Sequence, residues 1–292
     1  MNLVAARSQI DALNARINKS RQCARRYLLG CQSPTGGFCF YRSEYLDEAN
    51  LFDTWHAVAA LTLLSELPPH RAELVNFVFA QPPSRQPYAL YYRIFILKAL
   101  GSSDPDHAVI EKNVRSLVLK LPNPTQQFVL SWQMETLLLT LRLKVYYGIM
   151  FPAQDIAQSI VKLEQPNGGF GATPNLLDTQ LALEILALLD QTTSTRTPVF
   201  VAHLEGPGYA FRLTERSLSP HLETVCAGIE CCQRLNLPVG YPEDAATFIL
   251  ACQTSNGGFA RAPGALPNIE FTHLALQGLA SLFENVLIHN PN

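Results

Sequence analysis

Four acid–threonine pairs recur along the chain: Asp53-Thr54, Glu135-Thr136, Asp178-Thr179 and Glu223-Thr224. A fifth threonine, Thr272, has its acid, Glu270, one residue further away. A carboxyl group repeated at one structural position can act as a general acid or stabilise a developing cation. It can equally cap a helix, where accepting backbone N–H bonds contributes about 0.5–2 kcal/mol. Asp53 and Asp178 are the first candidates for the catalytic role. His56 and His273 follow their threonines within two residues, and imidazole is the side chain that titrates nearest neutrality. They are candidates for a proton-transfer pair, or for histidines merely satisfied in a partly buried place. A metal site there would need a third ligand that the spacing does not supply. Aromatic residues concentrate early in the chain, among them Tyr41, Tyr45, Trp55, Tyr91 and Tyr92, with Phe128 and Trp132 later. Trp55, Tyr91, Tyr92 and Trp132 are expected in or near a cavity, where ring faces either surround an apolar ligand or attract a cation.

The elements that position these residues form a repeat. Gln32-Ser-Pro-Thr-Gly-Gly-Phe38, Gln165-Pro-Asn-Gly-Gly-Phe170 and Gln253-Thr-Ser-Asn-Gly-Gly-Phe259 are near-copies of one phrase. The five threonines are separated by 82, 43, 45 and 48 residues, a period of roughly 45 that signals a repeat architecture. The double-length first gap predicts a sixth, degenerate copy, which fits the helical stretch Tyr88–Leu100. Inner helices are expected at roughly 53–66, 87–101, 126–145, 178–190, 221–235 and 270–284. Outer helices are expected at roughly 8–31, 71–80, 107–120, 152–164, 197–203 and 241–252, where apolar residues fall at helical spacing with charges between. Pro105, Pro152 and Pro242 would occupy first turns.

The inner set reads as apolar nearly all round, as in Leu181–Leu189, and a helix without a wet face belongs inside. Six inner helices alternating with six outer ones describe an all-α, closed α6/α6 toroid over residues 1–292. An open solenoid would need polar caps at both ends. Strands are expected to be minor. The Gly-Gly pairs would reverse the chain after each outer helix. The glutamines would bond freed groups at a neighbouring helix end, and Phe38, Phe170 and Phe259 would plug the gaps between repeats.

Composition excludes other classes. With 292 residues, 48% of them hydrophobic, the chain can bury a large core. A formal net charge of −2 without a basic run argues against a nucleic-acid partner. Seven cysteines without a Cys-x-x-Cys pair read as buried free thiols. The first 31 residues mix charges into every few positions and lack a signal-peptide or spanning stretch, so a cytoplasmic location is expected.

The phrase Gln-x-x-x-Gly-Gly-Phe, one spacer shorter at Gln165, followed by an acidic residue and Thr-x-x-Ala-Leu, resembles the repeat of protein prenyltransferase β-subunits and squalene/terpene cyclases. Gln165–Thr179 shows it best, and the resemblance runs from about Gln32 to Leu282. It implies a central cavity holding a polyprenyl or terpenoid molecule. It also implies a place for a diphosphate-binding arginine at Arg216, which Arg93 could assist. The zinc ligands of the prenyltransferases fall on Leu222, Thr224 and Phe271, which cannot ligate, so no cofactor is expected. The Asp-x-Asp-Asp acid of the cyclases has no counterpart. The resulting expectation is an isoprenoid-handling enzyme without the usual zinc. A non-catalytic toroid that binds a lipid or a protein is the alternative.

Overall fold

The computed structural model describes residues 3–40, 42–43, 46–126 and 129–289; Tyr41, Tyr45 and Phe128 lie outside the described residues. In the first half of the chain the helices are α1 (Leu3–Gly30), α2 (Leu51–Leu63), α3 (Arg71–Ala80), α4 (Pro87–Ala99), α5 (His107–Ser116) and α6 (Leu130–Tyr146). In the second half they are α7 (Ala153–Val161), α8 (Leu176–Leu188), α9 (Arg196–His203), α10 (Leu222–Arg234), α11 (Pro242–Ala251) and α12 (Ile269–His289). Strand structure among the described residues amounts to three antiparallel pairs of two-residue strands.

The even-numbered helices pack in sequence order, α2 on α4 and so on to α12, and α12 packs back on α2. Side chains at matching depth meet across neighbouring helices. Arg142 reaches Glu184, Gln277 reaches Glu230, and His273 reaches His56. Such pairing requires the inner helices to run the same way, with their starts at one mouth of the ring and their ends at the other. The odd-numbered helices return the chain outside. Two expected boundaries shift: α6 begins at Leu130 rather than 126, and α5 stops at Ser116 rather than 120. Of the three prolines expected in outer-helix first turns, Pro242 sits in one; Pro152 and Pro105 precede their helices.

The repeated phrase is explained by contacts between neighbouring repeats. Gly36, Gly168 and Gly257 have φ of 93°, 91° and 95°, a region open chiefly to glycine. A Cβ on them would lie 2.1–2.4 Å from backbone atoms of Leu74, Arg196 and Cys23, in outer helices α3, α9 and α1. Since Gly257 belongs to the last repeat and Cys23 to α1, the outer layer also joins end to beginning. Phe38, Phe170 and Phe259 are fully buried plugs. Their backbone N–H groups donate to Thr54, Thr179 and Thr272 Oγ1 at 2.9–3.0 Å, so each threonine ties its helix to the preceding turn. The glutamines mainly brace their own turns, bonding Gly36, Gly171 and Gly257 carbonyls. Gln253 also reaches a neighbour, Ser20 O of α1 at 2.9 Å.

Candidate functional site

The bore of the ring holds a cavity of about 760 Å³, within the roughly 300–1,000 Å³ of small-molecule sites. One wall is aromatic because α4 carries Tyr88, Tyr91, Tyr92 and Phe95 at i, i+3, i+4 and i+7, a single helical stripe. Tyr91 stands edge-on to Trp55 of α2, with centroids 5.5 Å apart, and leans on Phe95 at 4.4 Å. Trp55, Tyr91 and Tyr92 thus line the cavity, as expected from sequence.

At the mouth formed by helix starts, His56 and His273 line the same cavity. Their Nδ1 atoms lie 3.0 Å apart, which joins the first and last inner helices. Burial lowers His56 to about 3, with His273 adding to the shift, and burial lowers His273 to about 4. Both rings are therefore neutral at pH 7. In a neutral Nδ1–H···Nδ1 pair one ring keeps an Nε2 lone pair and the other an Nε2–H, so the pair offers one base and one hydrogen-bond donor. Glu135 lines the cavity nearby. Burial raises its carboxyl, and the hydrogen bond from Tyr88 OH at 3.2 Å partly offsets this.

Deeper in the bore runs a polar belt that the sequence reading missed. Arg142 of α6 pairs with Glu184 of α8, which also has Arg234 of α10 at 3.6 Å. Gln180 donates to Glu184 and, at 2.8 Å, to Glu230 of α10, and Gln277 of α12 donates to Glu230. Burial and the charge of Glu184 lift Glu230 to about 7, against the pull of Arg234, Gln180 and Arg142. The signal was available: Arg142, Glu184 and Glu230 are charges inside otherwise apolar helical runs, and such residues are rarely buried unless paired. The expectation of inner helices without a polar face is corrected accordingly.

Other expected site residues lie elsewhere. Asp53 and Asp178 sit in the first turns of α2 and α8, outside the lining of the central cavity. The side chains of Asn50 and Asn175 accept from the N–H groups of Asp53 and Asp178 at 2.8 and 2.9 Å and donate back to Asp Oδ2 at 2.7 Å. Phe40 N also donates to Asp53, and Ser131 Oγ to Asp178, so both carboxylates are occupied by structural bonds. Arg93 faces away from the bore. It is 2% exposed and held by Asp104, Asp106 and the Val78 and Gln81 carbonyls, because the α4 stripe that faces the cavity leaves position 93 on the opposite side. Trp132 is 57% exposed beside a separate hollow of about 210 Å³. Arg216 is exposed, in the loop before α10. Leu222, Thr224 and Phe271, where the sequence resemblance placed the zinc ligands, carry no imidazole, thiolate or carboxylate. Among the described residues no group of three His, Cys, Asp or Glu side chains could hold one.

The family description "Prenyltransferase alpha-alpha toroid domain" matches residues 4–81 and 75–282, and the chain belongs to this family. Its fold is similar to that of Candida albicans protein geranylgeranyltransferase-I complexed with GGPP. That match has 18% identity and a TM-score of 0.60, and it covers 79% of this chain and 83% of the other. Type II terpene cyclase MstE from Scytonema, in complex with its substrate geranylgeranyl dihydroxybenzoate, is similar at 12% identity and TM-score 0.59, covering 94% and 99% of the two chains. The same cyclase with its product merosterolic acid A gives 14% identity and TM-score 0.56, covering 94% and 98%. No curated protein sequence matches. Among the described residues no helix is long and apolar enough to cross a membrane.

Proposed function

We propose that this protein binds a polyprenyl or terpenoid molecule in its central cavity and that the His56–His273 pair transfers a proton at that molecule, without zinc. The observation that carries the reading is the aromatic cavity of about 760 Å³ with a neutral histidine pair on its wall. Apolar walls with a few convergent polar groups are the usual form of a ligand site. The ring faces of Trp55, Tyr91 and Tyr92 suit an alkene chain and would lower the energy of a cation formed on it. A neutral imidazole is a proton acceptor, so the pair suits taking up the proton lost from the carbon next to a cationic centre on the ligand, where the C–H electron pair becomes a new C=C bond. It does not suit protonation of an unactivated alkene. The reading differs from the aspartate-led one in naming a base rather than an acid.

The test combines binding with turnover. Polyprenols, their diphosphates and cyclic terpenoids would be screened by native mass spectrometry, and each hit incubated in deuterated water and examined for exchange or rearrangement. Binding should fall about tenfold in Tyr91→Ala. Exchange should fall at least about a hundredfold in His56→Gln and in His273→Gln, the usual scale of general-base catalysis. Asp53→Asn and Asp178→Asn should change neither binding nor exchange. Failure of every isoprenoid to bind would overturn the reading; binding without any exchange or conversion would move it to the non-catalytic alternative.

A further inference from the structure

We infer that the cavity seats an anionic head group at the end formed by the C-terminal turns of the inner helices, on Lys98 and Arg142, with the apolar chain running toward the histidine pair. The inference rests on the proposed ligand class and adds its charge and its orientation.

Lys98 and Arg142 both line the cavity. Lys98 Nζ lies 5.5 and 5.3 Å from the ring centroids of Phe95 and Tyr146. Among the described residues it has no carboxylate partner. Aromatic faces orient an ammonium without neutralising it, so this cation remains open to an incoming anion. Arg142 donates to Tyr91 OH at 3.4 Å and to Glu184. Because Arg234 also stands by Glu184, Arg142 can turn partly toward a ligand while that carboxylate keeps a partner. A guanidinium beside an ammonium is a good receptor for a carboxylate or phosphate monoester.

The opposite mouth has the reverse character. Asp53, Glu135, Glu223 and Glu270 gather there, and Glu270 is raised by burial and by the charges of the other three. Arg261 neutralises only Glu223, and the two histidines are neutral. A diphosphate at that mouth would meet carboxylates at low effective dielectric, where like charges repel strongly. Helix macrodipoles act in the other sense, favouring anions at helix starts. They also account for a lysine in the last turn of α4. They do not place two cations on the wall of the central cavity, and they fade within a turn, whereas direct ion pairs reach the head group itself.

Trp55 lines the cavity and Trp132, the only other tryptophan, does not, so Trp132→Phe makes Trp55 the sole reporter. Its fluorescence would be titrated with a C15 prenol, the corresponding carboxylic acid and the corresponding monophosphate, in this background and with Lys98→Met added. Lys98 is exposed, so the substitution removes charge without disturbing the core. The acid and the monophosphate should bind about tenfold tighter than the alcohol, the scale of one charge-assisted bond. Lys98→Met should abolish that preference and leave the alcohol within about twofold. Raising salt should weaken the two anions only. Equal affinity for all three ligands, or an equal loss for all three in Lys98→Met, overturns the head-group assignment while the chain-binding reading stands. No response to any of the three overturns both.

Discussion

Because the His56–His273 hydrogen bond joins two Nδ1 atoms, one ring must be the donor; the bond survives one protonation but not two, and burial opposes charging either ring. This has a signed consequence for stability. Both folded-state values, about 3 and about 4, lie below the ordinary imidazole value of about 6.5. The unfolded chain therefore binds more protons as pH falls below about 6.5, and stability is lost progressively from there toward the folded values. Glu230 works oppositely. Its folded value of about 7 exceeds the unfolded one, so it favours the folded state at low pH and loses that contribution as pH rises through 7. The wild-type pH profile mixes the two, and the clean readout is a difference between variants. Between pH 7 and pH 5 the wild type should lose about 1–2 kcal/mol more than His273→Gln in urea denaturation; an identical loss in both proteins would mean that the histidines are not held neutral. The pair was legible in sequence because both residues sit just after aligned threonines of the first and sixth repeats. In the Arg142–Glu184–Glu230 belt the separate charges were legible but their pairing was not, since partners on three different helices share no spacing that a single chain displays.

At the scale of elements, what starts α2 and α8 where they do is a unit of four residues, not the acid alone. Asn175 caps the first turn, Asp178 answers it, and Thr179 Oγ1 accepts from Phe170 N while donating to Asn175 O at 2.7 Å. Asn50 and Asn268 stand at the same place. The asparagine was overlooked because it precedes the threonine by four residues, beyond the frame on which the copies were aligned. The glycines were legible in kind, but the reason for them is an approach between repeats that no local pattern records. That reason is testable by contrast. Gly148 also has a positive φ, 60°, but nothing lies near its virtual Cβ, whereas at Gly168 the φ is 91° and the backbone of Arg196 lies 2.4 Å away. Gly148→Ala should cost about 1 kcal/mol, the price of the left-handed conformation alone. Gly168→Ala should cost about 2–4 kcal/mol, because α9 must also move. Equal costs, measured by chemical denaturation, would show that glycine serves only the turn.

For the whole molecule the deciding feature is that both layers close on themselves. His273 meets His56 within the inner layer, and Gln253 and Gly257 meet Ser20 and Cys23 in the outer one. In an open solenoid each repeat touches only its neighbours and the two ends are free; in a ring every repeat has two neighbours and no repeat is an end. Closure was expected from the absence of polar capping repeats, and the first-to-last contacts supply its physical cause. The position of the chain ends should then matter little to stability. Since α1 runs outward against α12, the start of α1 and the end of α12 fall at the same mouth, where a flexible Gly/Ser linker can join them. A circular permutant opened at Gly148, between α6 and α7, keeps every helix–helix interface and breaks only a surface turn. It should unfold in one transition and lose no more than about 2 kcal/mol, with the closure cost of the new linker rising only slowly with its length. Deleting α11 and α12 instead removes the partners of α1, α2 and α10 at once, and should abolish cooperative unfolding of the remainder. If the permutant unfolded in separate steps while the deletion stayed cooperative, the first-to-last interface would be contributing little, and the repeats would be behaving as an open array.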